Sequence, residues 1–156
     1  MRRGGPGSTW RGSGVRAMGA VQHKLEVRVR YVDTDQMGVV HHARYFEWFE
    51  MGRTELIRAL GLPYRELEQD GYHLPVVEAH AVYRRAARYD DVLTVVSTVE
   101  EQRGARLKIS YRVLRGHELL AEGYTVHVFL NDDGRPVRPP RRFAELVTGR
   151  KGASRD

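Results

Sequence analysis

The 156-residue sequence contains no cysteine and no long hydrophobic run. Without thiols, the chain can form neither a disulfide nor a thiolate metal site. A reducing cytoplasm suits this composition, and we expect a cytoplasmic protein. No apolar segment approaches the roughly 20 residues that a membrane-spanning helix needs, so we expect no membrane span. The length suits one domain with its own hydrophobic core.

Acidic residues are missing from the N-terminal segment. Residues 1–20 hold four arginines, no acidic residue and six of the 16 glycines. We expect them to form a disordered basic arm, because they cannot bury enough apolar surface to order themselves. Met18 could be the true start, which would make residues 1–17 foreign to the native protein. The domain is predicted over 21–145, with a flexible basic tail over 146–156.

The formal net charge of +6 arises largely from that arm. From residue 21 onward the chain carries 22 basic and 20 acidic residues. An arginine-rich arm can contact nucleic acid, but this nearly balanced body does not predict nucleic acid as a partner.

Hydrophobic periodicity predicts a strand, a long helix and a short helix, followed by strands. Apolar and charged residues alternate over 24–32, which is typical of a strand with one exposed face. The predicted buried face carries Leu25, Val27, Val29 and Tyr31. Helical spacing runs over 43–60 and ends at Gly61 and Pro63, and the short helix follows over 63–71. Further strands are predicted over 76–84, 92–100, 106–113 and 123–130, with turns at Gly116 and 131–134.

This order of elements predicts the α+β class. Strands before and after one long helix indicate an antiparallel sheet wrapped around that helix. Sheet edges and exposed aromatic residues commonly require a second subunit, so we expect a homodimer or homotetramer.

The junction between the first strand and the long helix, DTDQMGVVHHARY at 33–45, concentrates polar chemistry. A helix beginning near His42 has unpaired N–H groups and partial positive charge at its start, which suits a carbonyl oxygen gaining negative charge. Gly38 allows a sharp turn, and Asp35 could act as a base or nucleophile. Together these features suit acyl transfer.

Simpler interpretations of the same residues stay open. Asp33 and Asp35 are also typical of Asx turns and helix caps. His41 and His42 are adjacent and lack a third spaced ligand, so no metal site is predicted. The remaining internal histidines are predicted to be packing or surface residues; they are His73, His80, His117 and His127. Residue patterns alone lead to a carboxylate near a helix N-terminus that could be catalytic.

The stretch RYVDTDQMGVVHHARYFEWFEMGRTELI resembles the hot-dog-fold acyl-CoA thioesterases of the 4-hydroxybenzoyl-CoA thioesterase family. The most similar group looks like the Tol-Pal-associated bacterial thioesterases. The motif positions are Tyr31, Thr34, Asp35, Gly38, Val39, Val40, His42 and Tyr45. The later stretch YRRAARYDDVLTV resembles the family's second landmark. The resemblance extends over residues 23–145.

The resemblance implies a five-stranded antiparallel sheet around a central helix, with active sites formed between the protomers of a dimer. It implies that Asp35 is the catalytic carboxylate, as nucleophile or base, and that His42 is a second catalytic group. The backbone N–H near His42 would polarise the thioester carbonyl. Substrate contacts are implied for Gly38, Val39, His41 and Tyr45, although His41 replaces the tyrosine or other aromatic residue common in relatives.

Coenzyme A carries several phosphates, so a basic contact is expected. By resemblance the segment EEQRGARLK supplies it, with Arg103, Arg106 and Lys108. A solvated hairpin is the alternative interpretation. The family needs neither a metal nor a redox cofactor.

The expected function is hydrolysis of an acyl-CoA thioester to free acid and CoA. The acyl group stays open among short aliphatic, longer fatty and aromatic groups, and acyl carrier protein is an alternative acyl donor. Two other functions remain as hypotheses: a hot-dog dehydratase acting on acyl carrier protein thioesters, and a non-enzymatic hot-dog module that binds a ligand or nucleic acid.

Overall fold

The computed structural model describes residues 21–148. The predicted basic arm, 1–20, therefore lies outside the described residues, as does most of the predicted tail. The elements are β1 (Gln22–Arg28), a 3₁₀ turn (Tyr31–Asp33), α1 (Arg44–Ala59), α2 (Tyr64–Gln69), β2 (Val76–Tyr83), β3 (Val92–Arg103), β4 (Arg106–Arg115), β5 (Glu118–Val128) and α3 (Arg141–Thr148).

The five strands form one antiparallel sheet in the order β1-β3-β4-β5-β2. α1 packs on one face of this sheet, which confirms the predicted α+β arrangement around a long helix. β1 and β2 are its edge strands. None of the helices in the range 21–148 is long and apolar enough to cross a bilayer.

The core lies between α1 and the sheet. Alternate residues of the central strands point toward the helix, as the period of two requires, and side chains such as Leu93, Val95 and Ile109 are fully buried. From α1, Phe49 stacks on Tyr111 of β4 with ring centroids 4.3 Å apart and ring planes within 5°. This contact fixes the helix close to the middle of the sheet.

The structure corrects the position of Tyr31. This residue was predicted on the buried face of the first strand, but β1 ends at Arg28 and Tyr31 is 78% exposed. The backbone of Val29 bonds to Asp90 and Asp91 in the loop before β3, at 3.0 and 2.9 Å. The chain then turns, because the Asp33 carboxylate accepts the N–H of Arg30 at 2.8 Å.

Helix α3 corrects two further predictions. Only strands were expected after the short helix, and the domain was expected to end at residue 145. α3 instead continues to Thr148, so the predicted boundary falls inside it. Phe143 is fully buried against Phe129, with ring centroids 5.1 Å apart, and Val147 is buried one turn later.

Both predicted turns are present, although they differ in kind. Gly116, at φ +63°, lies in the hairpin between β4 and β5. The turn at 131–134 closes a single bridge between Leu130 and Pro136 rather than a pair of strands.

His127 makes the stability of the fold pH-dependent. Burial and the nearby Arg53 charge lower the pKa of His127 from 6.5 to about 4. The unfolded chain therefore gains a proton at about pH 6.5, whereas the folded chain resists protonation down to about pH 4. We expect the free energy of unfolding to be unaffected by this residue above pH 6.5, and to fall by about 3 kcal/mol between pH 6.5 and 4.

Urea unfolding measured at a series of pH values checks this expectation. The variant His127→Gln does not titrate, so its stability should change less across that interval. An unfolding free energy that falls equally in both proteins between pH 6.5 and 4 would assign the effect to other groups.

Candidate active site

A tight turn over 34–40 carries the candidate carboxylate. Thr34 and Val40 pair across it, the Asp35 N–H donates to the Val39 carbonyl at 2.8 Å, and the Gly38 N–H donates to the Asp35 carbonyl at 3.0 Å. Gly38 has φ +81°, a left-handed conformation that favours glycine. The sequence therefore folds the chain back immediately before α1.

The two oxygens of the Asp35 carboxylate have different surroundings. Oδ1 accepts the backbone N–H groups of Met37 at 2.9 Å and Val39 at 3.3 Å. The Asx-turn interpretation of Asp35 is thereby confirmed. Oδ2 has no hydrogen-bond partner within residues 21–148, and Asp35 is exposed. One oxygen holds the turn and the other is open to a ligand.

Asp33, two residues earlier, is a structural residue. Its carboxylate is 1% exposed and contacts Arg30 at 3.0 Å and Arg44 at 3.6 Å. Burial by itself would raise the pKa of the Asp33 carboxyl, but hydrogen bonds from the Arg30 side chain and backbone, together with the Arg30 and Arg44 charges, hold that pKa below its usual value. Asp33 thus joins the 3₁₀ turn to the start of α1.

The start of α1 leaves one backbone donor open. The Ala43 N–H donates to His41 Nδ1 at 3.1 Å, and the N–H groups of Arg44 and Tyr45 donate to the preceding turn. The His42 N–H has no hydrogen-bond partner among residues 21–148. It therefore lies free at the positive end of the helix dipole.

Aromatic side chains lie next to the His42 backbone. The rings of His41 and His42 stack with centroids 4.5 Å apart. Tyr83, at the end of β2, lies 6.2 Å from the His42 ring, and its hydroxyl donates to the His42 carbonyl at 3.2 Å. The sequence interpretation did not single out Tyr83, because Tyr83 lies 41 positions after His42 and no local pattern links the two residues.

Tyr45 is buried next to the Tyr83 ring rather than exposed at the candidate site. It is 3% exposed and packs against Trp48 and Tyr83, both with ring centroids 5.1 Å away. Burial raises the pKa of the Tyr45 hydroxyl. Its burial makes Tyr45 a packing residue in the single chain, and its predicted substrate contact stays a prediction.

The loop between β2 and β3 supports the turn that carries Asp35. The Val40 N–H donates to the Ala87 carbonyl at 2.9 Å, and Val39 pairs with Arg88. Asp91 at the end of this loop is bound by Arg115 at 2.7 Å. The landmark YRRAARYDDVLTV thus lies directly beside the DTD turn, although 40 or more residues separate them in sequence.

Arg103, Arg106 and Lys108 lie at the other end of the sheet. Arg106 pairs with Val128 at one end of β5, whereas Tyr83, beside the site, pairs with Ala121. Seven residues of strand correspond to about 23 Å. The basic side chains contact acidic neighbours: Arg103 and Arg106 lie 3.4 and 2.8 Å from Glu101, and Lys108 lies 3.9 Å from Glu100. A single chain does not bring them to Asp35.

Within the described part of the chain, no three His, Asp or Glu side chains are grouped as ligands for one metal ion. The arrangement offers an exposed carboxylate oxygen, an open N–H donor at a helix start and two imidazole rings. These groups can polarise a carbonyl and attack it or activate water.

The sequence profile of the thioesterase-like superfamily matches residues 29–147. The chain belongs to this superfamily, and the hot-dog fold predicted from the resemblance is confirmed.

Particular relatives agree with this assignment. A putative acyl-CoA thioesterase of Bacillus subtilis, YneP, is 31% identical over 134 residues, covering 85% of this chain and 97% of the relative. The acyl-CoA thioesterase YbgC of Haemophilus influenzae is 40% identical over 118 residues, covering 74% of this chain and 86% of the relative. The crystal structure of the hypothetical protein TT1821 from Thermus thermophilus superposes with a TM-score of 0.77 at 36% identity. The match covers 81% of this chain and 97% of TT1821.

Proposed function

We propose that this protein is an acyl-CoA thioesterase, which hydrolyses the thioester to a free acid and CoA. The observation that carries the proposal is the pairing of an open Asp35 carboxylate oxygen with an open His42 N–H on one short segment. The names of the Bacillus and Haemophilus relatives support the choice of acyl-CoA as substrate.

In the proposed reaction, the His42 N–H and the α1 dipole stabilise negative charge on the thioester carbonyl oxygen. Asp35 Oδ2 either attacks the carbonyl carbon or takes a proton from an attacking water. The carbon–sulfur bond then breaks, CoA leaves as the thiolate and is protonated, and the acid is released after addition of one water. The His42 ring is proposed as a second catalytic group, which orients the water or the substrate.

The turn residues are proposed to contact the acyl group. Gly38 and Val39 lie on the turn that presents Asp35, and the His41 ring is exposed beside it. An acyl carrier protein thioester offers the same carbonyl to the same groups, so acyl carrier protein stays a second proposed donor. Acyl-CoA is found in the cytoplasm, which is the location we propose.

Release of free thiol from short, long and aromatic acyl-CoAs tests the function and identifies the acyl group. Turnover of at least one of them is expected. Absence of turnover on the whole panel and on acyl carrier protein thioesters would contradict the proposal. Hydration of an enoyl thioester without hydrolysis would instead support the dehydratase hypothesis.

We further propose that the enzyme is a homodimer joined through β2. This edge strand has no partner on its outer side within the described range, and Val76, Val77 and Tyr83 are 43%, 58% and 42% exposed. Unpaired edges of this kind commonly pair with a second copy of the chain. A further packing of dimers would give the predicted homotetramer.

Such a dimer supplies a route for the basic hairpin to reach CoA. In a two-fold pair of antiparallel β2 strands, the first residue of one strand lies beside the end of the other. The hairpin carrying Arg103 and Arg106 of one protomer then lies at the same end as the active site of its partner. We propose that Arg103, Arg106 and Lys108 bind the nucleotide phosphates across this interface.

Arg103→Ala tests the nucleotide contact. The KM for acyl-CoA is expected to rise about tenfold with kcat nearly unchanged, because a contact far from the reacting carbon binds substrate and transition state equally. The comparison is Arg58→Ala, since Arg58 is also an exposed arginine paired with a glutamate but lies on α1. A lower kcat at unchanged KM would contradict this role for Arg103.

A further inference from the structure

The peptide unit between His42 and Ala43 is held by a side chain at each end. Its carbonyl oxygen accepts the Tyr83 hydroxyl at 3.2 Å, and its N–H donates to His41 Nδ1 at 3.1 Å. Side-chain bonds at both ends fix the plane of this peptide. Bonds to the two ends also polarise it in the same direction, since a donor meets the oxygen and an acceptor meets the N–H.

This peptide immediately follows the open His42 N–H. The plane of the His42–Ala43 peptide sets the backbone dihedral ψ of His42. That dihedral in turn sets how the His42 N–H and side chain are oriented relative to the helix axis. An oxyanion donor stabilises the developing charge fully only when it lies about 3 Å from the oxygen, within about 0.5 Å of its productive position. A fixed peptide at this position therefore bears directly on catalysis.

His41 also selects which donor is open. His41 Nδ1 accepts the hydrogen bond of the Ala43 N–H, which would otherwise be a second unpaired donor at the start of α1. With the Ala43 donor filled, the His42 N–H is the donor available to a substrate oxygen. The acceptor role of Nδ1 places the proton of a neutral His41 ring on Nε2.

We propose that Tyr83 is a positioning residue for the thioesterase reaction, which acts with His41 by clamping the His42–Ala43 peptide and so orienting the His42 N–H toward the thioester carbonyl. This inference rests on the proposed function. It adds a residue on the sheet edge to a site that otherwise comes from the turn and the helix start.

The surroundings of Tyr83 favour a specific hydrogen bond over simple packing. The Tyr83 ring already contacts the Tyr45 ring at 5.1 Å, so packing alone does not require the hydroxyl. The Tyr83 hydroxyl is protonated at neutral pH, as tyrosine ordinarily is, and burial raises its pKa further, so the hydroxyl can donate. Tyr83 ends β2, so a rigid strand rather than a loop holds the donor in place.

Tyr83→Phe removes the donor and keeps the ring. We expect kcat for acyl-CoA hydrolysis to fall about tenfold with KM changed less than twofold, because the lost orientation affects the transition state rather than substrate binding. The matched control is Tyr64→Phe, since the Tyr64 hydroxyl also donates to a backbone carbonyl, that of Leu74 at 3.0 Å, but lies outside the site. Its kcat should equal that of the wild type.

The role of His41 gives a second, independent test. Asparagine can accept the N–H two residues later, as His41 does, so His41→Asn should keep most of kcat. His41→Phe keeps a stacking ring without the acceptor and should lower kcat. Combining His41→Phe with Tyr83→Phe should lower kcat by less than the product of the two effects, since both act on one peptide.

Unchanged kcat in Tyr83→Phe, alongside an active wild type, would overturn the inference and leave the proposed function intact. A loss of thermal stability with unchanged kcat per folded protein would also overturn it, because that result describes packing. Failure of the wild type to hydrolyse any thioester would instead reject the function itself.

Discussion

Asp35→Asn is expected to lower kcat for thioester hydrolysis by about a hundredfold or more, which is typical for loss of a general base or nucleophile. The exchange replaces a carboxylate by an amide of nearly the same shape. The amide oxygen can still accept the N–H groups of Met37 and Val39, so the turn should remain folded. The position of the open Oδ2 would then carry an NH₂ group, which can neither attack the carbonyl nor take a proton from water.

The measurement is thiol release from the best acyl-CoA of the panel, with substrate binding and thermal unfolding measured on the same preparations. Asp33→Asn is the informative comparison, because it alters the other aspartate of the same motif. Asp33 is buried against Arg30 and Arg44, so its exchange should lower the free energy of unfolding and leave kcat per folded protein largely intact. Near wild-type kcat in Asp35→Asn would refute the proposed chemistry.

Gly123→Ala is expected to lower the free energy of unfolding by about 3 kcal/mol, at the upper end for overpacking. Gly123 lies in β5 where α1 approaches the sheet. An added Cβ would overlap the His80 carbonyl of the neighbouring strand and lie 2.9 Å from the Phe49 ring. The backbone oxygen cannot rotate away, so either the β5–β2 pair or the helix must move.

Chemical unfolding of Gly123→Ala and the wild type measures this effect. Gly104→Ala separates sterics from backbone conformation, because Gly104 has φ +59° and open space around its Cβ position. That variant should lose only about 1 kcal/mol, the penalty for a left-handed residue with a side chain. Equal losses in the two variants would remove the steric explanation.

The elements that the sequence predicted well are those whose pattern is long and local. α1 and the hairpin strands show sustained periodicity, and their limits in the structure differ from the predicted ones by a few residues. α3 was missed because its eight residues contain only two buried apolar positions, Phe143 and Val147. Its burial depends on the contact of Phe143 with Phe129, 14 positions earlier in the chain, which no local period reveals.

Tyr31 shows a different limit. Alternation places it on the buried face only if β1 continues past Arg28. Whether it continues depends on the loop before β3, where Asp90 and Asp91 take the last pairing positions opposite Val29. A local pattern contains no information about where its partner strand begins.

The residues of the candidate site also differ in whether a local pattern can predict them. Asp35, Gly38 and His42 lie within eight positions, so one local motif was sufficient to suggest them. Tyr83 reaches the site only because the β2–β5 register carries it there. The charge pattern around Arg103 did not reveal which end of the sheet the hairpin occupies, since strand register alone determines this.

The divided carboxylate of Asp35 has a consequence for reading related sequences. Selection for a folded turn acts on Oδ1, whereas selection for chemistry acts on Oδ2. A descendant that has lost catalysis would still need the aspartate to keep its loop. Retention of this residue in a relative is therefore weak evidence of activity, and the environment of the second oxygen is the feature that distinguishes a working enzyme from a folded remnant.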